Sequence, residues 1–245
     1  MKNQGFKMLF LVAVMIGSMQ LIGCSKDTPE NLVLADDESA SLIEKTTATA
    51  SADASWIDGC IDSFPMESLS AAEIEALTTM REEELLAKDV YVLLYSIYNV
   101  PVFNNISKSE TQHSLAIGTL LTKYGIEDPA VNHVAGVFVN TALQALYTSL
   151  AAQGSTSLIS AFTVGATIED LDIYDLNTHI TTDIDNQDIL FVFGNLERGS
   201  RNHMRAFNRQ LKAKGVTYVP KFISQEYFDQ IITSKNETGN CACPK

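Results

Sequence analysis

Apolar residues recur along this chain at helical spacing, in four long stripes separated by capping and breaking signals. The first stripe opens at Leu69-Ser70-Ala71-Ala72-Glu73-Ile74, where Ser70 and Glu73 spell a capping box and Leu69 and Ile74 a hydrophobic staple. Leu77, Met80, Glu84, Ala87, Tyr91, Leu94 and Tyr98 then share one face until Pro101 ends the run. A second helix is predicted over about 104–124, stopped by Gly125, with Ile106, Glu110, His113, Ile117 and Leu120 aligned. A third covers about 156–177 and aligns Leu158, Phe162, Gly165, Glu169, Asp172 and Leu176. The fourth, capped by Asp185, runs to Lys214 ahead of Gly215, with Ile189, Val192, Leu196, Ser200, His203, Phe207 and Leu211 inward. Residues 127–154 connect the second and third long helices and contain a short helix over 141–153, capped by Asn140 and stopped by Gly154. A crossover of that length lets those two helices run parallel. A last short helix over 225–233 follows Ser224. The pattern predicts an all-α domain over 67–234, a four-helix bundle with a long crossover between helices 2 and 3 and a short C-terminal helix.

Polar residues interrupt every inward stripe. Glu84 breaks the first, while Glu82 and Glu83 fall at its outer side or edge, where Glu82 reads as solvated. Glu110 and His113 sit three apart in the second, about 60° in direction and one turn in height from each other. A carboxylate and an imidazole so placed leave the same face and can close on one metal ion. Glu169 and Asp172 interrupt the third stripe, with Gly165 leaving space one turn earlier; His203 interrupts the fourth. Burying such groups without partners is costly. Arg201 or Arg205 could neutralise them in a metal-free bundle; a metal is the other compensation. His133 falls in the loop part of the crossover as a surface histidine, and His179 at the end of the third helix, where it favours the helix C-terminus.

In chain order the inward set is Glu84, Glu110 with His113, Glu169, and His203. Two divalent ions held about 3.5–4 Å apart repel, so their chemistry needs bridging carboxylates. One imidazole per ion completes each coordination sphere and leaves open positions. Tyr91, Asp172, Glu197 and Asp89 are candidates to orient these ligands.

Composition narrows the partners. The chain has 245 residues, 46% of them hydrophobic, and a formal net charge of −13, which argues against nucleic acid. Lys2 and Lys7 precede a short apolar run from Met8 to Met19, which reads as an export signal over 1–23 rather than a spanning helix. Residues 24–66 are rich in Ser, Thr, Ala and acidic residues and read as a flexible acidic tether. Within it, Trp56 and Ile57 are candidates to dock on the domain near Cys60. In an oxidising compartment Cys60 can pair with Cys241 or Cys243 of the 235–245 tail and staple the two ends of the domain. That leaves one thiol over, and a metal on Cys-Ala-Cys is the alternative use.

Two resemblances add to this reading. Leu21-Ile22-Gly23-Cys24 resembles a bacterial lipobox, which implies a lipid on Cys24, anchorage of the mature chain in the cell envelope, and, with Ser25 next, the outer membrane. The region 69–228 resembles the ferritin-like family called domain of unknown function 2202. The resemblance lies in Arg81-Glu82-Glu83-Glu84-Leu85-Leu86-Ala87-Lys88-Asp89-Val90-Tyr91, Ser109-Glu110-Thr111-Gln112-His113, Leu143-Gln144-Ala145-Leu146-Tyr147, Gly165-Ala166-Thr167-Ile168-Glu169-Asp170-Leu171-Asp172 and Arg198-Gly199-Ser200-Arg201-Asn202-His203. More distantly the chain is similar to rubrerythrin, bacterioferritin and manganese catalase. That kinship implies a ferritin-like bundle and metal ligands Glu84, Glu110, His113, Glu169 and His203, with Tyr91 two turns after Glu84 matching the spacing in those relatives.

The departure is Ser200, where rubrerythrins and bacterioferritins have a sixth ligand, Glu; manganese catalases manage with five. Glu197 or Asp172 could substitute, or water could fill the position. The implied cofactor is a pair of iron or manganese ions, and the implied activity is peroxide or oxygen-species handling as a catalase, peroxidase or oxidase. The alternatives are a metal-sequestering module without turnover and a metal-free interaction domain. The oligomeric state stays open, a dimer included.

Overall fold

The structure, a computed structural model, describes residues 60–238. The signal segment 1–23, the lipidation site Cys24, the tether up to residue 59 with Trp56 and Ile57, and the tail cysteines Cys241 and Cys243 lie outside the described residues. Within them the fold is all-helical: α1 (Ala71–Tyr98), α2 (Pro101–Tyr124), α3 (Thr141–Gly154), α4 (Leu158–Thr182), α5 (Gln187–Ala213) and α6 (Gln225–Thr233). No strand occurs among the described residues, only an isolated bridge between Val134 and Val137. No described helix is long and apolar enough to cross a membrane. Cys60 is disulfide-bonded.

Local chemistry sets the helix ends. The capping box forms: Glu73 N donates to Ser70 Oγ at 3.1 Å and Ser70 N to Glu73 Oε2 at 2.8 Å. Glu73 Oε1 also accepts the N–H groups of Asp185 and Asn186, which ties the start of α1 to the start of α5. Ile74, expected as one half of the staple, is 40% exposed. Asn99 ends α1 in the left-handed region (φ 52°). Pro101 then opens α2 three residues before the expected start; it lacks only an N–H that a first turn leaves unbonded anyway. Gly125 stops α2 at φ 64°, as expected. α4 continues to Thr182, past residue 177, so His179 lies inside the helix and bonds Asp183 at 2.8 Å. The cap of α5 is Asn186, one residue later than Asp185.

The core is two apolar clusters with a polar layer between them. One cluster holds Leu86, Tyr91, Phe103, Phe162, Phe207 and their neighbours; the other holds Leu77, Met80, Ile117, Leu120, Leu176 and Val192 among others. α1 and α5 run from the second cluster to the first, whereas α2 and α4 run from the first to the second. α2 and α4 are therefore parallel, joined by the crossover. The long helices close a ring: α1 packs on α2, α2 on α5, α5 on α4 and α4 on α1. On each, the residues between the two clusters are Glu84, Glu110 to His113, Glu169 to Asp172, and Ser200 to His203.

The crossover is pinned by residues read differently from sequence. Glu82 is buried, not solvated: its carboxylate accepts the N–H groups of Val139 and Asn140 at 2.6 and 2.9 Å. His133 is no free surface histidine, because its Nε2 meets Asp89 Oδ2 at 2.8 Å. α3 seats on α1, where a Cβ at Gly154 would stand 2.8 Å from Leu94.

Candidate metal centre

Glu84 on α1, Glu110 and His113 on α2, Glu169 on α4 and His203 on α5 all point into the polar layer. The three carboxylates are 0% exposed and the two imidazoles under 10%. Glu84, Glu110 and His113 bring one ligand-type atom each within 4.8 Å of one another, and so do Glu110, Glu169 and His203. Glu110 belongs to both groups. Its Oε2 lies 2.7 Å from His113 Nδ1 and its Oε1 2.9 Å from His203 Nδ1. Glu84 Oε2 stands 3.2 Å from His113 Nδ1, and Glu169 Oε2 3.4 Å from His203 Nδ1. The two rings face each other, 5.6 Å between centroids and 26° between planes.

Of these contacts, Glu84 Oε2 to His113 Nδ1 is an aligned hydrogen bond; the other three are short but poorly directed. Both oxygens of Glu110, Glu84 Oε1, Glu169 Oε2 and His203 Nδ1 are buried without an aligned hydrogen bond. Lone pairs that converge on shared space rather than on N–H groups suit a cation. The nearby arginines and Lys123 are engaged elsewhere. Arg201 pairs with Glu197 and Glu237; Arg205 pairs with Glu237 and bonds Ser234 and the Ile231 carbonyl. Arg81 is paired to Asp128 and Lys123 to Asp188.

The electrostatics follow from burial against mutual attraction. Burial pushes Glu84 up to about 7, against the pull of His113. Burial also raises Glu169, offset by His203. Glu110 is opposed by burial as well, yet His203 and His113 together hold it well below the usual carboxylate range. Burial disfavours the imidazolium at His203, but Glu110 and Glu169 carry its pKa to about 10; Glu84 and Glu110 likewise raise His113. Without a metal the two imidazolium ions are the counter-charge of this acidic layer.

The surrounding residues divide. Tyr91 Oη donates to Glu169 Oε1 at 2.5 Å, and burial beside Glu169 raises its pKa, so the phenol stays a donor. Asp172 accepts Ser200 Oγ at 2.8 Å. Burial, with Glu84, Glu169 and Glu110 nearby, pushes Asp172 well above the usual range. The other two candidates turn away. Glu197 pairs with Arg201 and accepts from Tyr227 Oη at 3.0 Å. Asp89 binds Lys88, His133 and the Gly136 N–H in the crossover. Gly165 leaves no space beside the layer, because the ring of Phe207 occupies it.

The domain model described as an uncharacterized protein domain, DUF2202, matches residues 73–235. This chain belongs to the DUF2202 family. It is 49% identical over 179 residues to the uncharacterized protein MJ0754 of Methanocaldococcus jannaschii, across 73% of this chain and 96% of that protein. A crystal structure of the hypothetical protein MJ0754 superposes on it with a TM-score of 0.69 at 48% identity, covering 71% of this chain and 98% of that one.

Two features of the polar layer are not anticipated by the sequence pattern. A Cβ at Gly199 would stand 2.7 Å from His113 Cε1 and Nε2, so the missing side chain lets the ring lie against α5. Ser109 Oγ is 3.5 Å from His113 Nε2. Glycine inside the Arg198-Gly199-Ser200 run, where helix propensity disfavours it, was the available signal.

Proposed function

We propose that this DUF2202 protein is a ferritin-like dinuclear metal protein that handles peroxide or related oxygen species in the cell envelope. One observation carries the reading: two buried three-ligand groups share Glu110, and both Glu110 oxygens, one oxygen of Glu84 and one of Glu169 lack directed partners. Glu84 and His113 would hold one ion, Glu169 and His203 the other, and Glu110 would bridge. An oxygen-rich set with two imidazoles suits iron or manganese. The long crossover with parallel α2 and α4 supports the ferritin-like assignment. When bound, the ion pair would supply a two-electron redox capacity, one electron per ion.

The chain's own residues do the rest. Tyr91 fixes one oxygen of Glu169, and Ser200 fixes Asp172 beside the layer. The two apolar clusters keep bulk water from both ends. Dismutation turns two hydrogen peroxide molecules into two water molecules and one dioxygen, one peroxide being oxidised and the other reduced. It needs no outside reductant, which suits an exported protein. Export by residues 1–23 and a lipid on Cys24 belong to the same proposal and rest on the sequence pattern.

Iron and manganese counts on protein purified without chelator test it, with two ions per chain expected, together with oxygen release from added peroxide. Metal without turnover would favour sequestration. No metal after mild reconstitution would overturn the centre.

A further inference from the structure

A cavity of about 30 Å³ lies beside the polar layer, between α1, α3 and α4. That is room for roughly one or two water-sized molecules. Leu86 of α1, Leu146 and Leu150 of α3 and Ile168 of α4 line it, and Phe222, 38% exposed, stands at its rim. Thr167 and two carboxylates break this apolar lining. Glu83 precedes Glu84 in the chain and keeps Oε2 buried without a partner. Asp172 also lines the cavity and feels the charges of Glu84, Glu169 and Glu110. The cavity is thus a small apolar chamber with acceptors on the side of the centre.

Those properties select the guest. A hydrated divalent ion would be stripped of its shell against leucine walls, at a cost they cannot offset. Dioxygen fits by size but offers nothing to Glu83 Oε2, which would stay unpartnered. A small neutral molecule with O–H donors meets both demands. Water does, and hydrogen peroxide does with a donor at each end.

We propose that this cavity is the approach by which hydrogen peroxide reaches the dinuclear centre, with Glu83 and Asp172 as positioning residues that accept its O–H groups. The inference rests on the metal reading above and adds the route and the size limit. The chamber admits hydrogen peroxide and rejects alkyl hydroperoxides.

Leu146→Trp fills the chamber from α3, an element that supplies no ligand; Leu146→Phe is the milder version should the larger ring impair folding. Metal-loaded native protein and variants are compared for metal count, for kcat/KM with hydrogen peroxide and with tert-butyl hydroperoxide, and for xenon occupancy in pressurised crystals. Native crystals should hold xenon in the chamber and the filled variant should not. At unchanged metal count, the filled variant should lose about tenfold or more in kcat/KM for hydrogen peroxide. Leu146→Ala should narrow the native preference for hydrogen peroxide over the bulkier hydroperoxide. Glu83→Gln should raise KM more than it lowers kcat. Unchanged metal and lost xenon with unchanged peroxide kinetics would overturn the route and leave the centre standing. Absence of metal from the native chain would overturn both.

Discussion

Glu169 and Asp170 are chain neighbours on α4, both fully buried, yet their carboxylates are treated in opposite ways. Asp170 accepts the hydroxyl of Tyr218 and the N–H groups of Lys221, Phe222 and Ile223. Glu169 accepts one hydrogen bond, from Tyr91, and leaves Oε2 aimed at His203 without alignment. The same contrast separates Glu82, met by two crossover N–H groups, from Glu84 two residues on. Structural carboxylates here are saturated with donors. Those of the polar layer are under-bonded together, in one place, which points to a ligand rather than to four separate defects.

Removing the shared carboxylate should break that contrast most severely. Glu110→Ala deletes the residue common to both groups, so the metal count should fall from two per chain to near none. His133→Ala and His179→Ala should keep both ions, since their imidazoles serve Asp89 and Asp183. Equal occupancy in all three variants, read by elemental analysis, would remove the site assignment.

The neighbouring pair sets the next scale, in stability rather than occupancy. Asp170→Asn gives an amide to a pocket of donors, and should cost about 2–3 kcal/mol with or without metal. Glu169→Gln removes a charge whose burial His203 and Tyr91 offset only in part, so the metal-free protein should unfold within about 0.5 kcal/mol of native, or later. Denaturant unfolding after metal removal separates the two. Similar losses for both would mean that Glu169 is another structural carboxylate.

Most of this layout was legible in the sequence because it is local. The stripe that placed Glu84, Glu110, His113, Glu169 and His203 inward is helical periodicity, and all five are buried in one layer. The Ser70–Glu73 box, the Gly125 stop and the Asn140 and Ser224 caps are contacts within four residues. The larger misreadings depended on partners far along the chain. Glu82 reaches Val139 and Asn140, and Asp89 reaches His133 and Gly136, in a loop whose path no periodicity describes. Pro101 failed for another reason: proline both ends one helix and starts the next, and its position alone does not say which.

Gly199→Ala sharpens the comparison inside the centre. Alanine in a helix normally gains about 1 kcal/mol over glycine. Here its Cβ would press on His113 Cε1 and Nε2 at 2.7 Å, and a side-chain ring can move aside more cheaply than backbone. The fold should therefore hold while the Glu84–Glu110–His113 group loses geometry. Metal titration should show one ion weakened by about 10–100-fold and the other, with Glu169 and His203, nearly unchanged. Equal weakening of both would mean that the two groups do not act as separate halves.

The smallest effect belongs to the saturated region on the other face of α5. Glu237 accepts from Arg201 at 2.9 and 2.6 Å and from Arg205 at 2.7 Å, and so fastens the chain after α6. Burial opposes its ionisation, but the two guanidinium groups hold its pKa at about 2, below the ordinary 4.5. A depressed carboxylate stabilises the fold above its unfolded pKa and loses that contribution as pH falls through the folded value. Its side chain is 32% exposed, so solvent screening limits the pair to about 1 kcal/mol or less. Glu237→Gln should then cost at most that near pH 7, with the gap from native closing between about pH 4.5 and 2. The metal count should not move, because Arg201 and Arg205 make no bond to the ligand carboxylates. A metal loss on this substitution would tie the arginine cluster to the centre and erase the distinction between the two regions.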